Sequence, residues 1–157
     1  MIQAGEKLPE GILKTLTDDG VIEINPAEFF VGKRVVFFGV PAAFTPGCSQ
    51  IHLPGYTDNS DAILAKGFDL IACMACNDAW VMNAWSKSTG AAGKVMMLAD
   101  GSAHYAKTLG IDLDLNHVGM GMRCKRFSMV VQDGVVESMN IDERAIDLTS
   151  AASTCGI

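Results

Sequence analysis

The chain has 157 residues, 49% hydrophobic and 19% charged, a composition that separates it from disordered chains and predicts one domain spanning 1–157. Its 12 basic and 18 acidic side chains leave a net charge of −6, which argues against a general nucleic-acid binder. No apolar run approaches the roughly 18–20 residues of a membrane span, and the start, MIQAGEKLPE, lacks the apolar stretch of a signal peptide.

Along the chain, Ile12 to Leu16 and Val21 to Ile24 alternate in polarity around Asp19-Gly20, which predicts a hairpin. Arg34 to Val40 is a continuous β-branched and aromatic run, the pattern of a strand buried on both faces. A helical stretch follows over Gly47 to Lys66, with Pro54 expected to kink or interrupt it and Gly67 to close it. Phe68 to Ala75 reads as a second buried strand. Asn77 or Asp78 caps a helix carrying Val81, Met82 and Trp85. Lys94 to Leu98 gives a third strand and Ser102 to Leu109 a short helix. Phe127 to Val131 and Val135 to Met139 flank Asp133-Gly134 as a second hairpin, and Ala145 to Ser153 forms a final helix. The order predicts an α/β fold with a central mixed sheet and helices on both faces. In such sheets ligand chemistry gathers at the carboxyl ends of the strands.

That rule selects the end of the Arg34 to Val40 strand, which continues Pro41-Ala42-Ala43-Phe44-Thr45-Pro46-Gly47-Cys48. Cys48 follows a Pro-Gly turn and opens the next helix. There, unpaired backbone N–H groups and the positive end of the dipole favour thiolate over thiol. Thr45, on the same turn, is expected to set its hydroxyl beside the sulfur, donating to it and accepting from a substrate O–H. Pro41 and Pro46 stiffen the loop.

The run PAAFTPGCSQIHLPGY resembles the peroxidatic-cysteine loop of the peroxiredoxins, with Pro41, Thr45 and Cys48 on its Pro-x-x-x-Thr-x-x-Cys signature. His52-Leu53-Pro54-Gly55 is similar to the type II, or peroxiredoxin-five, branch. Asn77 to Trp85, Leu98 to Gly101 and Gly119 to Val131 extend the likeness over nearly the whole chain. The resemblance implies a thioredoxin-like fold and a homodimer. It also implies a peroxidase for hydrogen peroxide and alkyl hydroperoxides that needs no cofactor and no metal. Arg123 matches the family's distant arginine, whose guanidinium favours thiolate and holds a peroxide oxygen as charge develops on it. Phe44, Gly47, His52 and Met122, with Met120, are expected to line the pocket.

Resolution of the resulting sulfenic acid stays open. Cys73 lies 25 positions after Cys48, as in plant-type members, whereas Cys155 falls five past the animal-type position, here Ser150. Thioredoxin, glutaredoxin or glutathione is the expected reductant. Cys73 and Cys76 form a C-x-x-C, an alternative thiol-disulfide exchange motif. A non-catalytic thioredoxin-fold interaction module is the other rival. His52, four residues after Cys48, also admits a Cys–His hydrolase. The odd count of five cysteines argues for a reducing compartment, the cytoplasm, or an organelle if a transit peptide was removed.

Overall fold

The first hairpin is set by which side chains it can bury. In this computed structural model, which describes residues 1–157, β1 (Leu13–Thr17) and β2 (Gly20–Ile24) pair antiparallel with the buried Leu13 opposite the buried Ile24. Asn25 then caps a short helix that the sequence reading did not anticipate, α1 (Pro26–Phe29). Its Oδ1 accepts from the Ala27 N–H at 3.2 Å, and Pro26 sits where a missing N–H costs nothing.

Three parallel strands form the centre, β3 (Arg34–Gly39), β4 (Leu70–Ala75) and β5 (Met96–Ala99). In each, every residue after the first is buried, which explains the unbroken apolar runs. The second hairpin, β8 (Arg126–Gln132) and β9 (Val135–Asp142), joins antiparallel to β3. Its turn places Asp133 at φ 51 and Gly134 at φ 78, the left-handed pair a tight hairpin demands. The seven-stranded sheet runs β2-β1-β5-β4-β3-β8-β9.

The helical stretch after β3 is divided more finely than expected. Cys48–His52 is a π-helical turn, followed by α2 (Leu53–Asp58) and, past Asn59, α3 (Ser60–Ala65). Pro54 falls in the first turn of α2, where it is tolerated, so the irregularity lies before it rather than at it. Asp78 caps α4 (Ala79–Ser88) by accepting from the Val81 N–H at 2.8 Å. Beyond α5 (His104–Leu109), β6 (Asp112–Leu115) and β7 (Gly121–Cys124) make a separate two-stranded sheet that the sequence reading missed. The last helix, α6 (Ala151–Cys155), starts later than the expected Ala145. The reason is local: the Asp142 carboxylate takes the N–H groups of Asp147, Leu148 and Thr149 and folds that stretch into a turn.

The sheet separates two cores. On one face Val36, Phe38, Ile71, Cys73 and Val130 pack against α2, α3, α4 and α6 through Leu53, Tyr56, Ile63, Trp85 and Cys155. On the other, Val35, Phe37, Ala72, Met74 and Phe127 meet Phe30, Tyr105 and Leu109. At the end of β3, Gly39 pairs with Phe127, and a Cβ on it would collide with the Phe127 ring. Gly39→Ala should therefore lower stability by about 1–3 kcal/mol, the usual cost of overpacking. An unchanged denaturation midpoint would show that the ring can yield. No helix is long and apolar enough to cross a membrane.

Candidate active site

The loop leaving β3 is tied down before it reaches Cys48. The Val40 N–H donates to Met74 O at 3.0 Å, and the Ala43 N–H to Asn77 Oδ1 at 2.9 Å. Phe44 adopts φ 66, an uncommon conformation for a bulky residue, and is 55% exposed. The Ser49 N–H donates to Thr45 O at 2.9 Å, closing the turn that delivers Cys48 to the start of the π-helical segment. Cys48 is buried, its residue only 1% exposed.

The cation at the sulfur is Arg126, which corrects the expectation for Arg123. Arg126 Nη2 donates to Cys48 Sγ at 3.3 Å. Arg123 instead spends its guanidinium on backbone carbonyls, Nε to Met120 O at 2.8 Å and Nη1 to Cys76 O at 3.1 Å. The physical reason is strand parity. Phe127, Met129 and Val131 of β8 face the second core, so Arg126, Ser128 and Val130 point to the face that holds Cys48. Arg123 belongs to β7, in the other sheet.

Arg126 is itself held. Its Nη1 donates to His52 Nδ1 at 2.8 Å, while His52 Nε2 donates to Thr149 O at 3.0 Å. A guanidinium only donates and a carbonyl only accepts, so His52 must be the neutral Nε2–H tautomer. Burial lowers the His52 pKa to about 4; Arg126 adds to the lowering, and the bond to Thr149 opposes it. Thr149 O also accepts from Tyr56 Oη at 2.6 Å. Thr149 is fixed in turn by Asp142, whose Oδ2 accepts from the Thr149 N–H at 2.9 Å and its hydroxyl at 2.7 Å. Burial alone would raise the Asp142 carboxyl, but its hydrogen bonds outweigh that and leave it below the usual carboxylate range. A chain of bonds thus runs from Asp142 through Thr149, His52 and Arg126 to the sulfur. The sequence reading missed Asp142, and no spacing signal marked it. His52 makes no bond to Cys48, which removes the Cys–His hydrolase reading.

Thr45 also differs from expectation. Its hydroxyl donates to Ala42 O at 2.9 Å, so its hydrogen is committed and only its lone pairs remain to receive a substrate O–H. A cavity of about 600 Å³ opens on Pro41, Gly47 and Arg126, with Ile51, Leu113, Lys125 and the segment 142–146 around it. Pro41 and Gly47 both line this cavity. Phe44 and Met122 do not line this cavity; both are exposed, Met122 by 43%.

All five cysteines are free thiols and all are buried. Cys73, on β4 opposite Phe38, shares the Cys48 core, together with Cys155. Burial, then the neighbouring Cys48, push the Cys73 thiol well above its ordinary range, and Arg126 pulls the other way. Burial raises Cys155 to about 11. Cys76 lies in the opposite core beside Cys124, whose thiol donates to Val40 O at 3.2 Å. Cys73 lies on β4 and Cys76 one residue past its end, and the two sulfurs fall in the cores on opposite faces of the sheet, so they cannot work as a C-x-x-C dithiol. No group of three or more His, Cys, Asp or Glu side chains is placed to hold a metal ion.

A family model described as Redoxin matches residues 3–153. The chain is similar to "Peroxiredoxin-2E, chloroplastic" of Arabidopsis thaliana, at 39% identity over 96% of this chain and 66% of that protein, so it spans about two thirds of that relative's length. It is 40% identical to "Peroxiredoxin-2C" of Oryza sativa subsp. japonica, over 90% of this chain and 88% of that one. Among solved structures, reduced Prx3 of Vibrio vulnificus in complex with hydrogen peroxide superposes with a TM-score of 0.94 at 42% identity, covering 98% of this chain and 96% of that one.

Proposed function

The chain belongs to the peroxiredoxin family, with the thioredoxin-like fold and the type II likeness, and from that premise we propose how it reduces peroxides. The contact that carries the reading is Arg126 on Cys48. The Cys48 thiolate attacks the nearer oxygen of a hydroperoxide in line with the O–O bond. That bond breaks, the leaving oxygen takes a proton to become water or an alcohol, and Cys48 becomes a sulfenic acid. Arg126 supplies positive charge and donors where charge develops. Thr45 receives the peroxide O–H and Pro41 shapes the loop, so these residues act by orientation and electrostatics.

In the next step a thiol condenses with the sulfenic acid, releasing water and forming a disulfide. Cys73 is the resolving thiol in this reading, supported by its place in the same core as Cys48. Its burial means that the π-helical turn must open first. Thioredoxin, glutaredoxin or glutathione then restores the thiols. The exposed apolar Phe44 and Trp80, which follow β3 and β4 at the active-site end of the sheet, support a homodimer across that end. The domain is the whole of 1–157, acting in the cytoplasm or another reducing compartment, with no membrane or nucleic acid as partner.

One equivalent of hydrogen peroxide, added to the reduced protein with a sulfenic-acid trap, should give a single adduct on Cys48 by mass spectrometry. Without the trap, a Cys48–Cys73 disulfide is expected. An adduct on Cys76, or none at all, would refute the assignment.

A further inference from the structure

The cavity beside Cys48 holds about 600 Å³, a volume typical of small-molecule sites and far beyond what hydrogen peroxide needs. Its lining divides by chemistry. Ile51, Leu113, Ala145 and Ile146 give it apolar surface, and Lys125, Arg126 and Arg144 give it three cations. Ile51 is 60% exposed, an aliphatic side chain left uncovered at the mouth. The site of a Gly47 Cβ would lie 3.6 Å from Arg126 Nη2 and 3.7 Å from Ile146 Cδ1, so apolar wall and arginine converge beside the sulfur.

The cations are the unusual part. The protein's ion pairs are Lys14–Glu23 and Arg34–Glu137, so none of these three cations is paired with a carboxylate. Arg126 is occupied by Cys48 and His52. Lys125 and Arg144 remain free. Of the two acidic residues around them, Asp142 is spent on its own turn and only Glu143 is uncommitted. In a chain of net charge −6, a cavity with two free cations, one free anion and an aliphatic wall is suited to an amphiphilic anion.

Building on the peroxidase reading, we propose that this cavity selects hydroperoxides of long-chain carboxylic acids. The aliphatic chain lies along Ile51, Leu113 and Ile146, the carboxylate meets Lys125 and Arg144, and the hydroperoxyl group reaches Cys48. The chemistry at sulfur is unchanged: the O–O bond breaks, Cys48 is oxidised to the sulfenic acid, and the hydroxy acid leaves. A free carboxylate, rather than apolar bulk alone, is what this site reads.

The test compares kcat/KM for linoleic acid hydroperoxide, its methyl ester and hydrogen peroxide, each used as a ratio within one variant so that changes in overall activity cancel. The wild type should favour the acid over the ester by about tenfold, the scale of one charge-assisted contact. Lys125→Gln combined with Arg144→Gln should bring that ratio near one, through KM. Glu143→Gln should move it the other way by about two- to threefold, which a folding defect cannot imitate. Equal rates for acid and ester in the wild type, or a ratio indifferent to these variants, would overturn the carboxylate site while leaving hydrogen peroxide reduction standing. Loss of hydrogen peroxide reduction in the wild type would overturn both.

Discussion

Arg126→Ala should lower kcat/KM for hydrogen peroxide by about 10²–10³-fold, the usual cost of removing one preorganised donor at a developing charge. Arg123→Ala should cost less than about tenfold, because its guanidinium braces the carbonyls of Met120 and Cys76 rather than the sulfur. Arg126→Lys should fall between. It keeps a positive charge but cannot hold His52 Nδ1 and Cys48 Sγ together with one planar fork. Stopped-flow consumption of peroxide, read beside thermal melts of each variant, checks this. If Arg123→Ala proved the more damaging, the site described here would be assigned to the wrong guanidinium.

Acid should destabilise the fold through His52, with a defined window. The imidazole is neutral in the folded protein, with its pKa lowered from 6.5 to about 4. Below pH 6.5 the unfolded chain therefore binds a proton that the folded one refuses, and stability falls as pH drops. The loss ends near pH 4, where the folded form is protonated as well, and totals on the order of 3 kcal/mol across the window. Protonation would also set an N–H against Arg126 in place of an acceptor. Asp142, whose carboxyl is lowered, contributes stability that is present above the ordinary carboxylate value and is lost only as pH falls further. The two effects separate on the pH axis. Urea midpoints at pH 7, 5.5 and 4.5 should show a steep decline in the wild type and a flatter one in His52→Gln. Parallel declines would remove His52 as the source.

The sequence made the candidate nucleophile legible and the cation beside it not, for a physical reason. Cys48 is announced locally by strand, Pro-Gly turn and helix start, all within one stretch of chain. The arginine arrives from a strand more than 70 residues away, and the run Arg123-Cys124-Lys125-Arg126 offered three cations. Choosing among them needs to know that pairing breaks between β7 and β8, so that side-chain alternation restarts at Arg126. The signal was present: Phe127, Met129 and Val131 share one apolar face, which puts Arg126 on the other. Short elements were lost for a different reason. α1 and the β6–β7 pair span four residues each, too few for a period to register. The last helix was placed too early because Asp142 claims backbone amides that would otherwise begin it.

Cys73 on β4 and Cys76 just past its end put one sulfur on each side of the sheet, and the remaining three divide in the same way: Cys48 and Cys155 lie with Cys73, and Cys124 with Cys76. Exchange between sulfurs requires them to touch, so a wall of packed strands is an electrical insulator for this chemistry. An oxidising equivalent that enters at Cys48 can be handed only to partners on its own side. Cys76 and Cys124 are thereby kept apart from the Cys48 sulfur by where they are rather than by what they are.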